Sequence, residues 1–478
     1  MKPLATTITV LGCIAAFASQ STGSASTDHP LFDMEELRDA STLKIDVLQD
    51  WHLVKGPIPT RQKSITINVG EIWPGQDLRI PVRFVVPANR KAKGFHLTGG
   101  HQLKQFESEA AVRGVDSELI NGGVGLVHTI VQEPKTYGEG ELGDAMRKRF
   151  IDTLNTRYSI QYWGWPATLM RATTAAYAET DHFEIGKIAL SGGSKNGASP
   201  SVALIADQRL TALHASVSPP WESPLRLCDP SAWEALDAFN EQDGQTKPHT
   251  FLGGAFGPIY NADALKAGHS WAEIQGFAKR MAHRIFISKN LDALAARNVD
   301  LLFHPGTHDM VAYDLAWGGA HYPQMPVYLG INSGHGKKHK PDSSEKDEQN
   351  KAAFLLNHFF DAGEPLLESP SVSYRKNGDA LRVTVTFKPG SKPESGRIWW
   401  IYDRGPDGSV AYIRDLFPED QWKDMKQKTH QNVWSTDIEL KPGVNRIDFF
   451  SNHRKTIQYQ LKAYSTYISS PYTRVELR

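Results

Sequence analysis

The stretch Ile188–Ala198, IALSGGSKNGA, decides the fold. An apolar run leads directly into a glycine-flanked serine and then into a helical pattern, which predicts a strand, a sharp turn and a helix with Ser194 at the tip. Gly192, Gly193 and Gly197 are expected to allow a close approach of strand and helix that a Cβ would block. The first amides of that helix would face the serine and suit a developing oxyanion. Taken alone, the stretch also fits an ordinary strand-to-helix turn or a phosphate-binding loop, and its G-x-S-x-x-G spacing departs by one residue from the usual G-x-S-x-G.

Two later segments contain the side chains that a nucleophilic serine needs. The apolar run Val299–Phe303 leads into HPGTHD, which ends at Asp309, and the run Pro326–Ile331 leads into NSGHG, which contains His335. A serine hydrolase built on a parallel sheet supplies its serine, acid and histidine in this chain order, each just beyond a strand. We therefore predict a catalytic triad of these two residues with Ser194.

In this triad His335 would act as general base on Ser194, while Asp309 would fix the tautomer of the imidazole and stabilise its charged form. Asp309 is preferred as the acid because it lies nearest to the end of its strand. Other residues that compete for the acid and base positions lie close by in the sequence: Asp314, His304 and His308.

Backbone amides are expected to complete the site. An early strand leads into LTGGHQ, where paired glycines can turn amides inward, so Gly100 and His101 join the Lys195 amide as predicted oxyanion donors; a plain glycine turn is the alternative. The Lys195 ammonium is solvated, stabilises the oxyanion or holds a substrate carboxylate. Trp221 and Glu222 are the predicted substrate contacts, although aromatic side chains at such positions are more often in the core.

Composition excludes several other classes of function. Lys+Arg and Asp+Glu both number 53, so the formal net charge is zero and no general basic field exists for nucleic acid. The chain has 18 histidines but no H-E-x-x-H motif, and we predict neither a metal nor a cofactor. The expected partner is a small-molecule or carbohydrate ester substrate.

The first residues have the pattern of an export signal. Lys2 precedes the apolar run Leu4–Ala15, and a small-any-small sequence follows, which predicts a signal peptide over residues 1–18 and a periplasmic or secreted protein. A lipoprotein cleavage box ending at Cys13 is a weaker alternative. The mature chain would keep one thiol, Cys228, and no other apolar run is long enough to span a membrane.

Between residues 65 and 331, short apolar runs alternate with helical patterns, which is typical of a mostly parallel sheet covered on both faces. Ser64–Val69 and Arg79–Val86 alternate with period two and predict an opening antiparallel pair. Six further strands are predicted at Gly94–Leu97, Val124–Val131, Ile185–Leu190, Ala212–Val217, Val299–Phe303 and Pro326–Ile331.

Two intervals interrupt this alternation. The interval 219–289 is too long for a loop and is predicted to be an inserted helical lid, with helices at Ala232–Phe239 and Trp271–Arg284. A last helix is predicted near Asn350–Phe360, after the charge run Lys337–Glu348, which we interpret as a solvated face.

From residue 367 to residue 478 the pattern is all-β. Turn signals at Asn377-Gly378 and Pro442-Gly443 separate short strands at spacings typical of a β-sandwich. The predicted strands are Val372–Tyr374, Leu381–Phe387, Arg397–Tyr402, Val433–Leu440, Asn445–Phe450 and Tyr459–Ala463. We therefore predict a large domain over residues 19–366 and a β-sandwich domain over residues 367–478.

These motifs resemble the PhoPQ-activated pathogenicity-related proteins, and the similarity runs over most of the mature chain. GGSKNG around Ser194 looks like the family's G-x-S-K-R-G, with Asn196 in place of its arginine. GTHD, ending at Asp309, resembles its G-T-x-D acid turn, and NSGH, ending at His335, resembles its N-x-G-H segment.

The resemblance implies an α/β-hydrolase fold and the same triad, but it supplies no substrate. Glucuronoyl esterases share a similar serine turn with a cation beside the serine, as Lys195 is here, which keeps a carbohydrate ester open. We predict an exported serine hydrolase that cleaves a carboxylic ester or related acyl bond. The alternatives are a secreted exopeptidase and a catalytically silent binding or signalling protein on the same scaffold.

Overall fold

One eight-stranded sheet organises the first part of the chain in a computed structural model, which describes residues 31–131, 139–217, 219–244, 261–335, 342–360, 364–428 and 432–477. The strand order is β1-β2-β3-β5-β4-β6-β7-β8. Pairing is antiparallel between β1 and β2, β2 and β3, and β3 and β5. It is parallel between neighbours in the rest of the order, β5-β4-β6-β7-β8. The strands are β1 (Asp46–Val54), β2 (Thr60–Trp73), β3 (Gln76–Pro87), β4 (Ala92–Thr98), β5 (Gly125–Thr129), β6 (Phe183–Gly193), β7 (Ala212–Ser216) and β8 (Asp300–Phe303).

Helices cover both faces of this sheet. Successive side chains of β6 point to opposite faces of the sheet and pack into different hydrophobic cores. Leu190 lies in the core that contains residues of α4, α5 and α8, and Ala189 lies in the core that contains residues of α2 and α11. This strand order with two helical layers is the α/β-hydrolase fold, as predicted. The helices are α1 (Met34–Arg38), α2 (Val115–Gly122), α3 (Glu139–Thr153), α4 (Trp165–Ala178), α5 (Lys195–Ala206), α6 (Pro230–Gln242), α7 (Asn261–Lys266), α8 (Trp271–Ile285), α9 (Leu291–Ala296), α10 (Leu315–His321), α11 (Asp342–Phe360) and α12 (Val410–Arg414).

The segment Pro326–Ile331 is not a regular strand, contrary to prediction. It pairs with β8 and with the turn beyond it through two isolated parallel bridges, Phe303 with Val327 and Gly306 with Gly330. Pro326 has no N–H to donate to a sheet. The segment also bonds to Ser469 of the C-terminal region: the Ser469 amide donates to the Val327 carbonyl, and Ser469 Oγ accepts from the Leu329 amide. The eighth strand of the sheet is β1 instead, an edge strand whose residues are mostly exposed and therefore lack the hydrophobic alternation that marks a strand in sequence.

Between β7 and β8 the insertion is helical, and the two predicted helices are confirmed as parts of α6 and α8. α8 begins with a capping box between Ser270 and Glu273 and buries the stripe that includes Phe277 and Met281 against the main core. The middle of the insertion, residues 245–260, lies outside the described residues. Among the described helices, none combines the length and apolar character needed to cross a bilayer.

The last helix of the sheet region, α11, starts earlier than predicted and includes part of the charge run. Asp347 faces inward from this helix, where it accepts hydrogen bonds from Ser216 and contacts His304 at 2.6 Å. The prediction that this charge run is a solvated face is therefore wrong for its described part, because the Asp347 carboxylate pairs with Ser216 and His304 at the sheet. Residues 337–341 lie outside the described part of the chain.

The C-terminal region consists of two antiparallel sheets, as the sandwich prediction required. One has the order β13-β14-β10-β9; in the other, β12-β11-β15-β16, β17 also pairs with β15. Residues 459–463 are not a strand, because Gln460 and Leu461 form the turn between β15 and β16. The strands are β9 (Ser371–Asn377), β10 (Ala380–Thr386), β11 (Ser395–Tyr402), β12 (Trp422–Asp424), β13 (Lys426–Gln427), β14 (Val433–Glu439), β15 (Arg446–Tyr459), β16 (Lys462–Ser469) and β17 (Thr473–Glu476).

Candidate active site

Ser194 occupies a strained turn between β6 and α5. Its backbone has φ +54° and ψ −126°, a conformation that non-glycine residues rarely adopt and that is found where function requires it. A Cβ on Gly192 would lie 2.1 Å from the Asn196 carbonyl oxygen, and one on Gly197 would lie 2.8 Å from the Gly192 oxygen. Both glycines are therefore required by the tight crossing of β6 and the first turn of α5, as predicted. The same prediction is wrong for Gly193, because a Cβ there would lie 3.7 Å from the nearest atom, the Ser216 carbonyl oxygen.

The structure brings the three predicted residues into one hydrogen-bonded series. Ser194 Oγ lies 2.8 Å from His335 Nε2, and His335 Nδ1 lies 3.0 Å and 3.2 Å from the two carboxylate oxygens of Asp309. The His335 side chain is 26% exposed and the Asp309 side chain 6% exposed. The serine and imidazole are thus open to solvent from one side, while the carboxylate is buried behind them.

The carboxylate sets the electrostatics of this series. Its hydrogen bond raises the pKa of His335 above the ordinary value, against the opposing effects of burial and of the Lys195 charge. An imidazole in this setting gains basicity and can accept a proton from the serine hydroxyl.

The turns that carry the acid and the histidine are bound directly to each other. The Thr307 amide donates to the Gly330 carbonyl at 2.9 Å, and the His308 amide donates to the Ser333 carbonyl at 3.0 Å. A Cβ on Gly306 would lie 1.9 Å from the Ser333 oxygen, so only glycine permits this approach. The relative position of the acid and the base is therefore fixed by backbone contacts rather than by side-chain packing alone.

Two of the three competing residues are engaged elsewhere. Asp314 is fully buried and forms an ion pair with Arg226, at 2.7 Å from Nε and 2.9 Å from Nη2. His304 contacts Asp347 through Nδ1. Asp309 and His335 are therefore the acid and the imidazole that lie in line with Ser194.

A second Ser-His-Asp series begins at Ser191, three residues before Ser194, and no sequence motif predicted it. Ser191 Oγ lies 2.7 Å from His96 Nε2, and His96 Nδ1 lies 3.4 Å from Asp116. Ser191 and His96 are both buried within the regular strands β6 and β4, beneath α2. A substrate has no access to this serine, so exposure and backbone strain together distinguish Ser194 from it.

The predicted oxyanion donors differ in their surroundings. Gly100 adjoins the first turn of α5, since a Cβ built on it would lie 3.6 Å from Asn196 Nδ2. The His101 amide instead donates to the Thr129 carbonyl at 3.4 Å, at the end of β5. It serves the sheet rather than Ser194, which corrects the prediction for His101. The Lys195 and Gly100 amides stay predictions.

A cation and an aromatic ring lie beside the serine turn. Lys195 is exposed, and its Nζ lies 5.5 Å from the ring centroid of the half-buried Trp165. This pair places a positive charge and an aromatic ring beside the serine turn.

Trp221 and Glu222 belong to the core, contrary to their prediction as substrate contacts. The Trp221 ring packs onto the helix at Gly318, where a Cβ would lie 2.5 Å from the ring. Glu222 is buried, accepts hydrogen bonds from Ser288 and Tyr322, and pairs with Lys289 at 3.0 Å. Their partners lie far along the chain, so local sequence could not reveal this burial.

Other candidate chemistry is limited within the described residues. The described His, Cys, Asp and Glu side chains form no group of three or more arranged to hold a metal ion. Cys228 is a buried free thiol, and burial raises its pKa to about 12. It is therefore protonated and unreactive at neutral pH.

The fold and the site together define a class: an α/β-hydrolase fold with serine, histidine and aspartate in hydrogen-bonded series at the turn after β6. No protein-family model matches the chain, and neither does any curated protein. Its fold is similar to a glucuronoyl esterase from Solibacter usitatus (15% identity, 67% of this chain and 87% of that chain, TM-score 0.40). It is also similar to acetyl xylan esterase 1 from Thermoanaerobacterium sp. JW/SL YS485 (12%, 68% and 94%, TM-score 0.33) and to Candida Antarctica lipase A (10%, 64% and 79%, TM-score 0.31).

Proposed function

We propose that this protein is a serine hydrolase that cleaves a carboxylic ester or a related acyl bond through Ser194, His335 and Asp309. The observation that carries the proposal is the hydrogen-bonded series from the strained, accessible serine through the imidazole to the buried carboxylate, with distances of 2.8 Å and 3.0 Å. A strand-to-helix turn without a catalytic role requires neither an imidazole nor a carboxylate beside its serine. The three roles follow from chemistry that these groups are known to perform together.

In the first half-reaction His335 Nε2 takes the hydroxyl proton while Ser194 Oγ attacks the carbonyl carbon of the ester. The oxygen of the resulting tetrahedral intermediate carries the negative charge, and the Lys195 and Gly100 amides are the proposed donors to it. The intermediate collapses when His335 returns the proton to the leaving alcohol. Water then attacks the acyl-enzyme in the same manner, releasing the acid and restoring the serine.

For the substrate we propose an ester that carries a negative charge, with a carbohydrate ester as the first class to test. Lys195 supplies a cation beside the serine, and Trp165 supplies an aromatic face next to that cation. An acylated acidic sugar, which keeps a free carboxylate apart from the ester that is cleaved, presents both an anionic group and an apolar ring face to such a pair. We also propose membership of the PhoPQ-activated pathogenicity-related family, based on the three motifs around Ser194, Asp309 and His335.

Labelling with a fluorophosphonate tests the proposed nucleophile. Wild type should label rapidly and Ser194→Ala should not label at all, while Ser191→Ala, which removes the buried serine of the second series, should label like wild type. Equal labelling of wild type and Ser194→Ala would refute the proposal. Turnover of short acyl esters, glucuronate esters and aminoacyl amides then separates an esterase from a peptidase, and turnover of amides alone would overturn the ester assignment.

We further propose that the protein is exported after removal of residues 1–18. That segment lies outside the described residues, and the proposal depends on its sequence pattern alone. N-terminal sequencing of protein recovered from outside the cytoplasm should give a chain that starts at Ser19. An N-terminal lipid on Cys13 would overturn this assignment in favour of a lipoprotein.

A further inference from the structure

A fully buried arginine of the C-terminal region is bound to the turn that carries Asp309. Arg404 Nη2 donates to the Thr307 carbonyl at 2.5 Å, and Nε donates to the Tyr412 carbonyl at 2.9 Å. Nη1 donates to the Tyr472 hydroxyl at 2.7 Å. Burial of a guanidinium is costly unless its donors are satisfied, so this cation holds its acceptors in a fixed arrangement. One of those acceptors lies two residues before Asp309.

The turn that carries His335 is bound to the same region. Asn332 has φ +50°, and its side-chain amide pairs with both backbone groups of Phe417: Nδ2 donates to the carbonyl at 2.8 Å, and Oδ1 accepts from the amide at 2.8 Å. The Asn332 backbone amide donates to Thr307 Oγ1 at 2.9 Å. Asn332 thus joins three separate segments, and it lies three residues before His335.

These contacts converge on Thr307, which is completely buried. Its carbonyl accepts from Arg404 and its hydroxyl accepts from the Asn332 amide, so the acid turn and the base turn are joined at Thr307 and each is also bound to the C-terminal region, through Arg404 and Phe417 respectively. We name Arg404, Asn332 and the Phe417 backbone the loop clamp. None of its members contacts Ser194 Oγ or the imidazole in the described structure, so they can act on chemistry only through the turns that they hold.

We propose that the loop clamp makes the C-terminal β-region a working part of the active site, with Arg404 and Asn332 as positioning residues that set the Asp309–His335 geometry. This inference rests on the proposed function. Supporting contacts of this kind are required because displacement of a catalytic group by about 1 Å can reduce the rate about 10²-fold.

Two substitutions test the clamp without removing a catalytic group. Asn332→Gly keeps a residue suited to positive φ but removes both hydrogen bonds to Phe417. Its control is Asn298→Gly, since Asn298 has φ +54° in an exposed turn before β8. Arg404→Lys keeps the charge but loses the fork of donors. Its control is Arg171→Lys, because Arg171 is likewise buried and donates to backbone carbonyls, those of Asn68 and Asp39, which belong to none of the turns that carry Ser194, Asp309 or His335.

Ester turnover and the pKa of His335 give two independent readouts. We expect Asn332→Gly and Arg404→Lys to lower kcat at least about tenfold with KM within about twofold, while both controls retain kcat. In ¹³C-histidine NMR titrations, with the His335 signal assigned by its loss in His335→Gln, the two clamp variants should titrate at lower pH than wild type because the hydrogen bond to Asp309 weakens.

The two readouts separate failure of this inference from failure of the proposed function. If clamp variants and controls lose kcat equally, or if the His335 titration is unchanged in Asn332→Gly, the clamp serves stability only and the inference is wrong. If wild type has no Ser194-dependent turnover, the proposed function fails, and the NMR titration still decides whether the clamp sets the Asp309–His335 contact. Circular dichroism spectra of all four variants show whether each one folds.

Discussion

The tight crossing beneath Ser194 leads to a sharp prediction for two adjacent glycines. In Gly192→Ala the new Cβ would lie 2.1 Å from the Asn196 carbonyl oxygen, whereas contacts of this kind do not fall below 3.0 Å. The obstacle is backbone in the first turn of α5, so no side chain can rotate away. The turn must therefore move by about 1 Å relative to β6, and Ser194 moves with it because it links the two. A displacement of this size corresponds to a loss of about 10²-fold in rate.

Gly193→Ala is the matched control. Its Cβ would lie 3.7 Å from the nearest atom, the Ser216 carbonyl oxygen, which is ordinary van der Waals contact. Hydrolysis of p-nitrophenyl acetate and the rate of fluorophosphonate labelling should therefore fall about 10²-fold in Gly192→Ala and stay within about threefold of wild type in Gly193→Ala. Thermal unfolding must first show that both variants are folded. The reasoning is refuted if folded Gly192→Ala retains activity within about threefold of Gly193→Ala.

Three further predictions follow from the site and its surroundings. In Asp309→Asn the plateau of kcat should fall about 10⁴-fold. The acid limb of the kcat/KM profile should also move to lower pH, because the neutral imidazole is the base and the lost carboxylate no longer raises the pKa of His335. An acid limb that stays at the wild-type pH would count against this assignment. Lys195→Met should reduce kcat/KM for anionic esters by about tenfold or more, since a charge-assisted hydrogen bond contributes about 1.5–3 kcal/mol. Lys195→Arg should restore kcat/KM for these esters. An equal loss of kcat/KM for neutral esters would exclude a role of Lys195 in recognising the anionic group. Cys228 should resist thiol reagents at pH 8 in the native protein and react fully in urea, because burial raises its pKa to about 12. Mass spectrometry measures the labelling, and rapid labelling of the native protein would show that the thiol is accessible.

The geometry of the serine turn could be predicted from sequence because its requirements are local. The turn needs glycines where β6 and α5 cross, and those glycines lie within a few residues of Ser194. The positions of Ser194 and Asp309 then follow from the topology of the sheet, since the ends of the parallel strands β6 and β8 lie at one edge. His335 follows a segment that is not a strand but bridges in parallel to the end of β8 and the turn beyond it. The hydrogen-bond distances agree with that order.

The remaining features depend on contacts between distant segments, which a local pattern does not contain. Glu222 is buried because Ser288 and Tyr322 satisfy its oxygens, and both lie more than sixty residues away. The segment around Val327 fails to form a strand partly because Ser469 of the C-terminal region bonds to it. Asp347 was hidden within a charge run because the face of a helix that points inward is set by tertiary packing.

The loop clamp shows the same limit in functional terms. The C-terminal strands were predicted as a separate sandwich, and no motif connects Arg404 or Phe417 to the acid and base turns. Only the folded chain places Arg404 on the Thr307 carbonyl and Phe417 on Asn332. Since these contacts are made by backbone groups, one side-chain amide and one buried cation, their sequence signal is weak.

Direct observation of an acyl-enzyme is the measurement that tests the central claim most closely. Protein mixed with p-nitrophenyl acetate and quenched in acid within the first turnover should carry one acetyl group, and peptide fragmentation should place that group on Ser194. The Ser194→Ala variant should carry none. An unmodified wild-type chain during turnover, or an acetyl group on another residue such as Ser191, would contradict the account.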